Sequence, residues 1–457
     1  MTPVRSAGQA AQGFGAFGSR LLIGLVGGTY AAFLLLTYRE LSKVWGYLGF
    51  WYQPPDTWVS VTTICASALL GMLLPLRSWT VVGFAKWVLY FILFIPALTI
   101  PPQQGVLPYN DLLLLEVLIW ASAAVLIVLL RDGTPFHEIR IAPRFLMQVV
   151  IAAWLLGNIA IFAVFGGSMS LAGLDEVYEQ RATAATASSA AISYVMGTMS
   201  GAINPFLLVV GLSRRRPYYV AMALAGQLVI YSTLAGKVVL GSTLLMIGSL
   251  LVFRHGKVAF ARIYATVLAF AVMGPFITTP RVAGGLINAV SDLVYFRILV
   301  LPGVLVGAYS SYFLDYPVTY LSHSLIGRPF STYPYGELSV GQVIGRYVTP
   351  GVTVDAKNYN ANFIAADGIA GFSTWGVPVI FLLAAGWLWL MSKLVGQENR
   401  PIVCAMLMPF VVSLADASLF TAILTGGGAA AAILLYLFRS AEYAAATDHD
   451  IMPSPTP

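Results

Sequence analysis

From Thr278 to Asp367 an otherwise apolar chain gathers groups that can do chemistry. Arginines stand at Arg281, Arg297, Arg328 and Arg346, and acidic residues at Asp292, Asp315, Glu337, Asp355 and Asp367. Aromatic side chains interleave with them, among them Tyr309, Tyr312, Tyr316, Tyr333, Tyr335, Tyr347 and Tyr359. Arginine offers a planar fork of donors that matches the oxygens of a phosphate or pyrophosphate. A tyrosine ring stacks on a sugar face while its hydroxyl reaches sugar hydroxyls. The bland alternative is that tyrosines sit here because aromatic rings favour membrane interfaces, and that the arginines pair with nearby carboxylates.

These residues must be positioned by helices that live in lipid. Of the 457 residues 58% are hydrophobic and only 10% charged, with mean hydropathy +0.81. A soluble surface needs roughly a quarter charged residues. Apolar runs fall near 20–38, 59–76, 80–100, 112–131, 145–166, 190–212, 218–235, 238–253, 259–277, 293–313, 367–392, 401–424 and 427–438. The fold expected is all-α and polytopic, a single membrane domain over 1–440 with tails at 1–19 and 441–457. Cys65 and Cys404 form no disulfide framework, and the four histidines show no metal-ligand spacing. The net charge of +6 sits in short loops and reads as topology, not nucleic-acid binding.

Orientation follows from the basic loops. Arg131, Arg140 and Arg144, then Arg214, Arg215 and Arg216, then Arg254 and Lys257 share one side, the cytoplasmic one. Loop 101–111, without Lys or Arg, and acidic loop 167–188 belong outside. The pattern continues past residue 277 only if 293–313, which holds Arg297, Pro302, Gly303 and Gly307, does not cross. It is then a re-entrant or interfacial segment. Region 278–366 becomes one large external loop, Lys393, Arg400 and Arg439 lie inside, and about 12 helices cross.

The run Tyr295-Phe296-Arg297-Ile298-Leu299-Val300-Leu301-Pro302-Gly303, followed by Tyr309-Ser310-Ser311-Tyr312-Phe313, resembles bacterial oligosaccharide repeat-unit polymerases of the Wzy (O-antigen polymerase) type. So does Asn360-Ala361-Asn362-Phe363-Ile364-Ala365-Ala366-Asp367-Gly368, with Gly371-Phe372, Trp375-Gly376 and the later Leu424-Thr425-Gly426-Gly427. Two departures stand out: Asp315-Tyr316-Pro317 has Asp where the family has Asn, and one extra alanine precedes Asp367. The resemblance covers roughly 235–428.

The resemblance implies a GT-C-like glycosyltransferase of the bacterial inner membrane with its site on the periplasmic face. It would move a growing glycan from undecaprenyl pyrophosphate onto an undecaprenyl-pyrophosphate-linked repeat unit, with a chain-length regulator protein as a partner. An O-antigen ligase-type transferase and a lipid-linked oligosaccharide flippase are the alternatives; a flippase has shorter loops. In that chemistry Arg281, Arg297, Arg328 and Arg346 hold the leaving pyrophosphate. No cofactor and no metal is expected, because loop 39–58 carries no DxD or ExD. The base is Asp367, Glu337 or His323, in that order, with Asp315 behind them. Asp367 otherwise reads as a helix cap. Asn360, Asn362, Tyr312, Tyr316 and Tyr335 contact sugar, or else the two asparagines fix the turn into the helix. Glu116 and Asp416, carboxylates within apolar runs, are functional candidates or are satisfied by a neighbouring helix.

Overall fold

A helix that is apolar all round has no aqueous face, so it must pack on other helices or meet lipid. The computed structural model describes residues 4–76, 80–169, 189–234, 237–253, 260–279, 287–288, 291–350, 358–396 and 400–451, and among them there is no strand. The principal helices in chain order are α1 (Val4–Trp45), α2 (Thr57–Met72), α3 (Val81–Gln104), α4 (Tyr109–Leu129) and α5 (Pro143–Phe165). Next come α6 (Ala190–Ser213), α7 (Pro217–Leu234), α8 (Lys237–Phe253), α9 (Phe260–Thr278) and α10 (Ser291–Asp315). Then follow α11 (Val340–Val348), α12 (Ile364–Val395), α13 (Arg400–Ser413), α14 (Leu419–Ile423) and α15 (Gly428–Ile451). Eight of the described helices are long and apolar enough to cross a membrane, so the chain is an all-α, multi-pass membrane protein. Helix continues into both expected tails: α1 begins at Val4 and α15 runs to Ile451.

α3 is the axis of the bundle, buried over 89% of its most apolar stretch, whereas α4 and α5 expose most of theirs. Small residues let backbones approach, which is how helices associate where lipid removes the hydrophobic drive. Gly27 and Gly71 both face the Tyr90 hydroxyl, which donates to Ser67 O at 2.8 Å. A methyl group on Gly197 would lie 1.5 Å from Thr425 O, so α6 can meet the turn before α15 only as glycine.

Two ends of the bundle can be told apart by contacts. At one, Gly133 N donates to Ser392 Oγ, Phe136 N to Lys393 O, and Arg439 pairs with Glu138 at 3.1 Å. Arg214 reaches Glu442 there too, so the loops around Arg131, Arg214, Lys393 and Arg439 share that end. At the other, Gln53 N donates to Gln103 O, and the Tyr359 hydroxyl to Leu48 O.

Both halves of α10 touch this second end. Phe296 stacks on Phe50 with ring centroids 4.8 Å apart, and Ser311 Oγ donates to Val106 O. Between them the helix changes from π to α winding at Pro302, and Gly303 sits against Pro96 O.

α12 is not straight. Ser373 has φ 54°, and Gly368 packs on Gly376. The Phe363 and Phe381 rings lie 5.4 Å apart, although an unbroken helix would separate them by about 27 Å. Residues 363–372 thus form a short arm folded back on the long one.

Candidate functional site

Three pieces of chain build a cavity of about 690 Å³: the folded-back arm of α12, the stretch between α10 and α11, and the turn before α14. The arm is anchored by Asn362, fully buried, whose Nδ2 donates to Pro302 O at 2.9 Å and whose Oδ1 accepts from Ala365 N at 3.1 Å. Asn362 is therefore a helix cap and does not line the cavity. The second piece is clamped onto the arm by Thr319 N to Ala370 O and Tyr320 N to Gly371 O. It then turns through Tyr320 and Leu321, both left-handed at φ 47° and 62°. Such a backbone costs roughly 1–2 kcal/mol per non-glycine residue, and strain of this kind collects at sites that need a fixed shape.

The turn carries His323 to Asp367. His323 Nε2 lies 3.4 Å from Asp367 Oδ1, and Nδ1 lies 2.8 Å from Thr319 Oγ1. Thr319 has one hydroxyl proton and gives it to Ala370 O at 2.9 Å, so Nδ1 must be the donor to Thr319. The other oxygen, Asp367 Oδ2, accepts from Leu419 N at 2.5 Å. One proton therefore lies between Asp367 Oδ1 and His323 Nε2.

This changes the expectation for Asp367. It is fully buried, both oxygens are engaged, and it does not line the cavity; it lies in a π-helical turn and caps the start of α14, not its own helix. His323 and Glu337 do line the cavity, and Glu337 is the acidic residue among its lining residues. Arg328 and Asn360 line it as well.

The other arginines are not brought in. Arg297 lies half-buried on α10, and Arg346 is exposed on α11 and does not line the cavity. Arg281 lies outside the described residues, as do Arg254, Lys257, Asp355 and most of loop 167–188.

The tyrosines form a wall beside the cavity. Tyr312 and Tyr316 stack at 4.3 Å, and Tyr335 joins Tyr312 at 6.0 Å. Tyr309 and Tyr333 reach the lining itself, donating to Tyr359 O and Leu338 O. Burial pushes the Tyr333 phenol up to about 12, and burial with the Tyr312 neighbour raises that of Tyr335. Both remain neutral donors at ordinary pH.

Thr319 and the backbone of Leu419 escape a reading from sequence because neither bears a charge. One signal was legible: Ser339-Val340-Gly341-Gln342 is a capping box, realised at the start of α11, which lies against the cavity. Asp315 ends α10 exposed, and Glu116 lies on α4 away from this site.

No protein-family model matches the chain, and no curated protein or solved structure does either.

Proposed function

We propose that the protein is a membrane glycan transferase, a repeat-unit polymerase that moves a glycan from a lipid pyrophosphate onto a second lipid-linked glycan. The observation that carries this reading is the cavity, where Arg328, the His323–Asp367 pair and Glu337 meet. In this scheme Glu337 takes the proton of the acceptor hydroxyl as its oxygen attacks the anomeric carbon. The bond from that carbon to the pyrophosphate oxygen breaks, and undecaprenyl pyrophosphate leaves. Arg328 and the His323 ring meet the charge that develops on it. Asn360 and the cavity hydroxyls of Ser331, Thr332 and Thr421 are donors and acceptors for sugar hydroxyls. The Tyr312–Tyr316 stack offers a flat edge to a glycan.

The fold suits two lipid-linked substrates. α10 has its Phe296 half and its Ser311 half at the cavity end, and the arm of α12 begins and ends there. Both read as segments that enter from the outer face and return to it. About a dozen crossings remain, with the basic end in the cytoplasm.

The test is transfer by the purified protein in vesicles holding undecaprenyl-pyrophosphate-linked repeat units, beside the glycans of a cell lacking it. The reading expects polymer from the wild type, none from Glu337→Gln, and single capped repeats on the deleted cell. Lipid-linked polymer accumulating in that cell would make the protein a ligase. No glycan outside it would make the protein a flippase.

A further inference from the structure

A second pocket, of about 380 Å³, opens between α2 and α4 on a side of the bundle away from the cavity. Its wall carries Glu116, with Trp58, Tyr109 and Trp120 around it. Trp58 and Tyr109 are 70% and 61% exposed and form its rim, while the Trp120 ring is pinned by its Nε1 donating to Ala66 O. Leu113 and Val117 on the same helix are exposed, so this face of α4 meets lipid. Glu116 lies two turns below Tyr109, a depth of about 10 Å, where headgroups give way to acyl chains.

The carboxylate is poorly answered by the protein. Thr63 Oγ1 lies 3.3 Å from it, but that hydroxyl has a single proton and a closer acceptor, Val59 O at 2.8 Å. No Lys, Arg or His lines the pocket. An intramembrane carboxylate without a cation marks a functional site. Trp120 lies one turn from it on the same helix, and Trp58 and Tyr109 ring the mouth, aromatic surroundings of the kind that stabilise an ammonium.

We infer that this pocket binds the primary ammonium headgroup of an aminophospholipid. The ammonium enters past Trp58 and Tyr109 and donates to Glu116 beside Trp120, while the acyl chains run down the exposed face of α4. The inference is independent of the transfer reaction, because it uses none of the residues of the cavity.

The test is native mass spectrometry of the full-length protein released from mixed micelles of phosphatidylethanolamine, phosphatidylglycerol and phosphatidylcholine with matched chains. Phosphatidylethanolamine should be retained over phosphatidylglycerol by about fivefold or more, a preference of about 1 kcal/mol. Glu116→Gln, an isosteric change, should abolish the preference with melting unchanged. Trp58→Ala, at the rim, should weaken retention of both choline and ethanolamine lipids. Equal retention of phosphatidylethanolamine and phosphatidylglycerol by the wild type would overturn the inference, as would undiminished preference in Glu116→Gln. Displacement of the lipid by millimolar free ethanolamine would reassign the pocket to a soluble amine and overturn the lipid assignment.

Discussion

The two ends of the bundle each hold a cluster of charged groups, and the clusters are built oppositely. At the Lys393 end, Arg439 is 4% exposed; Nη1 donates to Leu394 O at 3.1 Å, and Nη2 pairs with Glu138 and donates to Phe136 O. That cluster closes on itself and ties α15 to the loop after α4 and the end of α12. At the cavity end, the His323–Asp367 pair is closed. The Arg328 and Glu337 side chains make no hydrogen bond or ion pair with any described residue, and both residues line an open volume of about 690 Å³. Charges that answer each other hold a fold together; charges left facing a void are available to a ligand.

The comparison can be broken at its open side first. Glu337→Gln should lower glycan transfer by about 10²–10⁴-fold, and Arg328→Ala by about 10²–10³-fold. Neither should move the melting temperature, because both side chains are exposed. Initial rates at matched folded concentration and a melting curve decide this. A large loss of stability in either variant would mean that the cavity cluster is structural.

The closed side should fail in the opposite sense. Arg439→Ala leaves Glu138 and the carbonyls without their cation and should destabilise the protein by about 3–5 kcal/mol. Transfer per folded molecule should stay the same. A rate that falls with full stability would show that the Lys393 end takes part in the reaction.

Asp367→Asn sharpens the boundary between the two, since Asp367 is buried like the closed cluster yet backs a residue of the open one. It changes the partner of His323 Nε2 and weakens the acceptor for Leu419 N. Stability should drop by about 1–3 kcal/mol, and transfer by about 100-fold, readable as separate losses in melting and in rate per folded molecule. Asn362→Ala, the smallest effect, should cost about 1 kcal/mol through the lost cap and leave the substrate KM unchanged. A raised KM would return Asn362 to the sugar-binding set.

Much of the fold was legible because apolar runs in a membrane chain leave few choices: the runs between 20 and 438 fall mainly on helix, although 401–424 is broken between Ser413 and Leu419. What composition could not show is direction. The run at 367–392 hides the reversal at Ser373, since a glycine pair and a positive φ change the path without changing hydropathy. In the site, sequence distance misleads in the same way. Arg297 and Arg346 share the residue type of Arg328 but project elsewhere, and four arginines in one stretch read as a set. His323 and Asp367, 44 residues apart, meet only because Thr319 and Tyr320 are clamped to the arm of α12. His323 was a candidate by type, but its partner and the role of Asp367 behind it depend on backbone contacts that carry no sequence signal.

The central claim is that the cavity holds the pyrophosphate. Its most direct test is a structure of the full-length protein with undecaprenyl pyrophosphate bound. The account predicts phosphate oxygens within hydrogen-bond distance of Arg328 and His323, with Glu337 facing the acceptor side. Phosphates seated on Arg297 or Arg346, or at the Lys393 end with the cavity empty, would contradict it.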